Sequence, residues 1–171
     1  MAKTRLLALV GSLVAVLVLV LVVVVAGAPA ASKARTLTLE VTPDFSTFGA
    51  VKSPAPGEPF PTGPFYIEGK IYAQGTLRAD GTVPGARSIG TFRCWGWIFD
   101  GSNFGAAVNQ RYELAQGSIS TQGVEGTAVR DVTGGSGVYR AARGEGQVLA
   151  INPQNASFRI TFTGVHPGRT R

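Results

Sequence analysis

From residue 36 to residue 163 no stretch keeps apolar side chains at the i, i+3, i+4 spacing of a helix, while run after run alternates apolar and polar residues between glycines. Strict alternation puts successive side chains on opposite faces of a strand, so this pattern restricts the chain to β architecture. The clearest case is residues 36–42, TLTLEVT, where Leu37, Leu39 and Val41 share one face and Thr38, Glu40 and Thr42 the other. Further strands are expected at 65–77, 88–99, 108–115, 117–122, 127–132, 138–151 and 157–163. Turn chemistry separates them: Asp80-Gly81, Asp100-Gly101, Gly134-Gly135-Ser136-Gly137 and Asn152-Pro153. Residues 43–64 hold six prolines and read as a loop. Eight strands joined without crossover helices must be antiparallel. The expected fold is all-β: an eight-stranded antiparallel barrel, closed so that no sheet edge is left open. A two-sheet sandwich would use the same number of strands.

A different segment precedes the strands. Lys3 and Arg5 are followed by a nearly unbroken Leu, Val and Ala run over residues 6–25, then by small residues with an A-x-A site at Ala28 to Ala30. Basic, apolar, small is the order of a secretory signal, and the two cations keep the N-terminus inside. Twenty apolar residues are also long enough to anchor a helix in a bilayer. Residues 1–30 are therefore expected to be a signal peptide or signal anchor. Residues 31–64 should supply the first strand and the Pro/Gly-rich loop, and residues 65–171 the rest of one barrel domain. Either fate of the leader sends the barrel out of the cytoplasm, with membrane contact only through residues 6–25 if they are retained.

Charge and cysteine narrow the function. Of 16 basic and 10 acidic residues, the leader holds two basic ones, leaving 14 minus 10, or +4. These charges are scattered singly, unlike the clusters of a nucleic-acid-binding surface, so no nucleic-acid partner is expected. Cys94 is the only cysteine, which excludes an intramolecular disulfide, and a lone Cys in an apolar strand is usually a buried small hydrophobe. The only histidine, His166, lies beyond the last strand. This leaves no partner for Cys-His or Ser-His-Asp catalysis and no imidazole cluster for a metal. No metal or organic cofactor is expected.

The segment Arg111-Tyr112-Glu113, Gly117-Ser118-Ile119-Ser120-Thr121-Gln122-Gly123 and Val132 to Tyr139 resembles the barrel of plant allene oxide cyclases. The turn Gly134-Gly135-Ser136-Gly137 followed by Val138-Tyr139-Arg140-Ala141-Ala142-Arg143-Gly144 resembles the GGTGxFxxARG signature of dirigent proteins. The leader resembles that of secreted bacterial barrels of this class. The resemblance implies one lipocalin-like barrel that holds a flexible apolar, oxygenated molecule in a productive shape, as an isomerase-like cyclase or a guide of coupling. It also implies a homo-oligomer, trimer or dimer. In the cyclases a Glu of the first strand faces the pocket, and Glu40 stands at the matching place as the candidate catalytic carboxylate. Thr42 replaces an amide residue of the cyclase pattern.

From the residues themselves, Glu40 faces either the pocket or, with Thr38 and Thr42, the outside. Candidates to line the pocket are Thr42, Tyr66, Glu68, Tyr72, Cys94, Trp95, Trp97 and Tyr112. Trp95, Trp97 and Phe99 share a face with Arg93, opposite Phe92, Cys94 and Ile98, and that row suits either a cavity or a subunit interface. Two further readings stand beside the guiding role: a non-catalytic carrier of an apolar ligand, and an envelope interaction module whose barrel is filled by its own side chains.

Overall fold

The computed structural model describes residues 36–50, 58–103 and 105–165. Eight strands run in chain order round a closed antiparallel barrel. They are β1 (Leu37–Ala50), β2 (Gly63–Ala73), β3 (Gly90–Asp100), β4 (Gly105–Leu114), β5 (Gly117–Val124), β6 (Val129–Gly135), β7 (Gly144–Asn152) and β8 (Ser157–Thr163). Strand β1 closes the barrel on β8 through a register from Leu37–Phe162 to Val41–Phe158. The sandwich alternative is thereby excluded. The expected leader, residues 1–30, lies outside the described residues, as does His166. Among the described residues no helix is long and apolar enough to cross a membrane.

Three expectations need correction. The first strand does not end at Thr42 but continues through Pro43 to Ala50. Beyond Val41 it pairs with β2 alone, and such an edge position tolerates a proline that cannot donate to a ladder. The Asp80-Gly81 turn is present, with Gly81 at φ 78° and the Thr82 amide donating to Asp80 Oδ1 at 2.9 Å. It sits, however, inside a long connection over residues 74–89 rather than closing a tight hairpin. Finally, residues 138–143 are not strand. Gly137–Tyr139 forms a single 3₁₀ turn, so Arg140 and Arg143 lie in the β6–β7 connection, where Ala142 is fully buried.

Inward residues follow the period of two, and the two ends of the barrel differ. At the end carrying the β2–β3, β4–β5 and β6–β7 connections, Leu39, Ile71, Tyr112, Ile119, Val132, Ala142, Ile160, Phe162 and Val165 fill the interior. The Tyr112 ring meets Phe162 edge-on at 5.2 Å and leans on Phe92 at 5.3 Å, making an aromatic floor across the barrel. At the opposite end, where the β3–β4, β5–β6 and β7–β8 turns lie, the interior is open. All strand pairing and the whole hydrophobic cluster among the described residues fall within Ala34–Arg171, a compact unit with its own core.

Candidate functional site

The open end holds a cavity of about 560 Å³, within the size range of small-molecule sites. Its wall is built from inward positions of β1, β2, β3, β7 and β8: Phe45 and Phe48, Phe65 and Ile67, Phe92 and Cys94, Val148 and Ala150, and Phe158. Five phenylalanines give it flat, apolar surfaces. Phe48 stacks on Phe65 with ring centres 6.0 Å apart, and Phe158 meets Phe92 edge-on at 5.5 Å. The aromatic floor lies directly beneath.

One side of this apolar chamber is polar. Glu125, in the β5–β6 turn, receives Arg130 Nη2 at 3.0 Å on one oxygen and Gln110 Nε2 at 3.1 Å on the other. Gln110 Oε1 in turn accepts from the Tyr112 hydroxyl at 2.9 Å and from Thr121 Oγ1 at 3.2 Å. The Arg130 side chain is 2 % exposed and that of Glu125 26 %. Nη1 of Arg130 is spent on the Thr127 carbonyl, the Thr127 hydroxyl and the Val129 carbonyl. Its Nε is buried and has no hydrogen-bond partner among the described residues.

Buried arginine needs room, and Gly123 provides it: a Cβ there would come within 2.7 Å of Arg130 Cδ. A carboxylate has about four acceptor sites, and Glu125 uses two of them here. The cluster therefore offers a bound molecule a carboxylate acceptor held in place by a buried guanidinium, in surroundings where that acceptor is worth more than in water.

The wall also contains Cys94, and its thiol is not set up as a nucleophile. Burial pushes its pKa well up, and the charge of Glu125 adds to the effect. Burial likewise pushes the Tyr112 phenol upward, so it remains a neutral donor to Gln110.

Glu40 does not face this cavity. It lies on the outer side of the β1 wall, beside Tyr72 of β2 and Arg159 of β8 in register. It is nevertheless fully buried, because the β2–β3 connection folds over it. Its carboxylate accepts the amides of Gly75, Thr76 and Leu77 at 3.0, 2.8 and 2.6 Å, and Arg159 through Nε at 3.0 Å and Nη2 at 2.7 Å. Burial raises its pKa, but the Leu77 amide, Arg159 and the Gly75 amide outweigh it and hold the carboxyl below its ordinary value.

Of the other expected pocket residues, Cys94 lines the cavity and Tyr112 forms its floor. Thr42, Tyr66, Glu68, Tyr72, Trp95 and Trp97 point out of the barrel, since each neighbours an inward residue on its own strand. Cys94 and Trp95 are consecutive and cannot both face inward. Arg93 shows what the outer side is used for: it bonds Glu68 at 3.0 Å and Glu113 at 2.7 Å. Sequence reading passed over Glu125, Arg130 and Gln110. The available signal was parity: Gln110 is two residues from Tyr112 and Arg130 two from Val132. The Asn155-Ala156-Ser157 sequon is folded into the β7–β8 turn, where its amide accepts from Ser157 and donates to the Gly81 carbonyl.

No protein-family model matches the chain, and no curated protein does. Solved structures do. A pyocyanin demethylase superposes with a TM-score of 0.51 at 16 % identity, over 74 % of this chain and 98 % of that one. Two pterocarpan synthase dirigent proteins superpose with TM-scores of 0.54 and 0.52. Their identities are 13 % and 12 %, over 77 % of this chain in each case and 93 % and 87 % of theirs. At these identities the likeness is one of fold: the barrel is dirigent-like.

Proposed function

We propose that this barrel binds a small, apolar, oxygenated molecule in its open end and guides that molecule's cyclisation or coupling. The observation that carries the reading is the pairing of a phenylalanine-walled cavity with one polar cluster, Glu125–Arg130–Gln110. The apolar walls exclude water and fix the ligand's shape, while the cluster orients its oxygen. Glu125 is placed to accept a hydroxyl proton or to stabilise developing positive charge, and the buried Arg130 holds that carboxylate in position. The dirigent-like fold supports the guiding role, as does its likeness to two pterocarpan synthase dirigent proteins and a pyocyanin demethylase. The leader supports export, so the ligand is sought outside the cytoplasm.

The carrier reading also has an observation behind it: Glu125 and Arg130 neutralise each other, and most of the remaining wall is apolar. The filled-barrel reading does not survive the open cavity, because the two tryptophans that would plug the interior point outward.

Native mass spectrometry of Ala34–Arg171 isolated from its host tests the proposal. A stoichiometric apolar molecule released on denaturation is the expected result. Incubating that molecule, or its reactive precursor, with wild type and with Glu125→Gln then separates the readings. Loss of product with retained binding supports guidance, unchanged ligand in both supports a carrier, and failure to retain any molecule refutes the proposal.

A further inference from the structure

The rim of the cavity is held from outside the barrel. Asn152, Pro153, Ala156, Ser157 and Phe158, in or beside the β7–β8 turn, all line the cavity. In this turn Ala156 stands at φ 51°, the one residue other than glycine with a positive φ among the described residues. A side chain is disfavoured in that conformation, which persists only where its surroundings fix it. Asn155 fixes it. Its Oδ1 accepts the Ser157 amide at 3.1 Å and the Ser157 hydroxyl at 2.6 Å, and its Nδ2 donates to the Gly81 carbonyl at 3.3 Å.

Gly81 belongs to the β2–β3 connection, which leaves the packed end and crosses the outer side of the β1 wall. Three of its amides, those of Gly75, Thr76 and Leu77, clamp it to Glu40. Glu40 in turn binds Arg159, two residues beyond Ser157 on β8. Further along, the Gly81 amide donates to the Arg78 carbonyl at 2.9 Å and the Arg78 amide to the Thr82 carbonyl at 3.0 Å. That turn presents the Gly81 carbonyl to Asn155. Gly81 is buried at the contact with φ 78°, and a Cβ there would overlap the Asn155 amide. The connection therefore acts as a strap, joined to the wall at Glu40 and to the rim at Asn155.

We infer that Asn155 is a positioning residue of the ligand chamber: through it the strap fixes the rim turn from outside, and that contact sets how fast a bound molecule leaves. The inference rests on the reading of the open end as a chamber. Its consequence is reciprocal, because a molecule that braces the rim from within also tightens the strap on the outer wall. Gly85 supplies a control within the same connection: its φ is 69°, but a Cβ there would meet nothing.

The probe is 2-naphthol, a flat apolar molecule with one hydroxyl, whose fluorescence follows its uptake and release by the protein purified from its host. Asn155→Asp keeps the acceptor for Ser157 but replaces the donor to Gly81 with a carboxylate oxygen. Gly81→Ala parts the same pair from the strap side. Each should speed release about tenfold or more. The double variant should release no faster than the faster single one, because both changes break one contact. Gly85→Ala carries the same backbone penalty and should release at the wild-type rate. A wild-type rate in either Asn155→Asp or Gly81→Ala overturns the inference. Equal acceleration by Gly85→Ala does so too, since it reports a general loosening of the connection. Failure of the wild type to take up 2-naphthol, or equal uptake by Ala150→Trp, whose ring fills the chamber, refutes the chamber itself and the inference with it. Hydrogen exchange of the wild type decides the matter even if the variants fail to fold: 2-naphthol should slow exchange of the Gly81 amide, and an unchanged rate there overturns the inference.

Discussion

A carboxylate removed from water has to recover its hydrogen bonds from the protein, and Glu40 recovers five, three from consecutive backbone amides and two from Arg159. It thus ties the β2–β3 connection to the barrel wall. Replacing it with alanine leaves those amides buried and unpaired and should cost about 3–5 kcal/mol, measurable by urea denaturation. The cost should depend on pH. The folded carboxyl lies below its ordinary value of 4.5, so the unfolded chain binds the proton more tightly. This stability is present in full above about pH 4.5 and is lost as pH falls through the folded pKa. Glu40→Gln should therefore be less stable than wild type at neutral pH, with the gap closing in acid; a gap that does not change with pH would contradict the assignment. Within the cavity, Gly123→Ala should displace Arg130 and weaken ligand retention at least tenfold while the barrel still folds, as titration calorimetry with the retained ligand would show. Cys94 should resist alkylation in the folded protein and react on unfolding, because burial keeps it a thiol.

At the scale of strands, β1 has two regimes. Residues 39–41 are paired on both sides, by β2 and β8, whereas residues 43–50 lean on β2 alone. Amide hydrogen exchange should be slow in the first half and markedly faster in the second, where Phe45 and Phe48 meet the cavity. Uniform protection along β1 would contradict this division. The same strand shows what the sequence made legible. Alternation over 36–42 located the strand and its two faces, because a two-residue period is written directly in side-chain type. It could not locate the end, since proline forbids a ladder bond only where a ladder exists on that side. Nor could it tell inside from outside: Glu40 is buried on the outer wall by a connection that is 35 residues away in sequence, and only the folded chain brings the two together. Trp95 and Trp97 misled for the same reason, since large aromatic rings suit a cavity and an interface equally well.

The barrel as a whole divides its labour between two ends. One end is packed by aromatic and branched side chains and fixes the register. The other is left open, with Glu125 and Arg130 held at its edge by a turn too short and polar to attract notice in the sequence. Strand count, antiparallel order and closure were readable because glycine-punctuated alternation leaves few other ways to bury one face of eight strands. The polar cluster was not, because it joins β4, the β5–β6 turn and β6 through side chains alone. The central claim is that the open end is a ligand chamber, and filling the chamber tests it most directly. Ala150 lines the cavity on β7, opposite Phe158. Native mass spectra of wild type and Ala150→Trp, prepared identically from the host, should show a retained molecule in the first and none in the second, with unchanged circular dichroism. Equal retention by both proteins would place the ligand elsewhere and contradict the account.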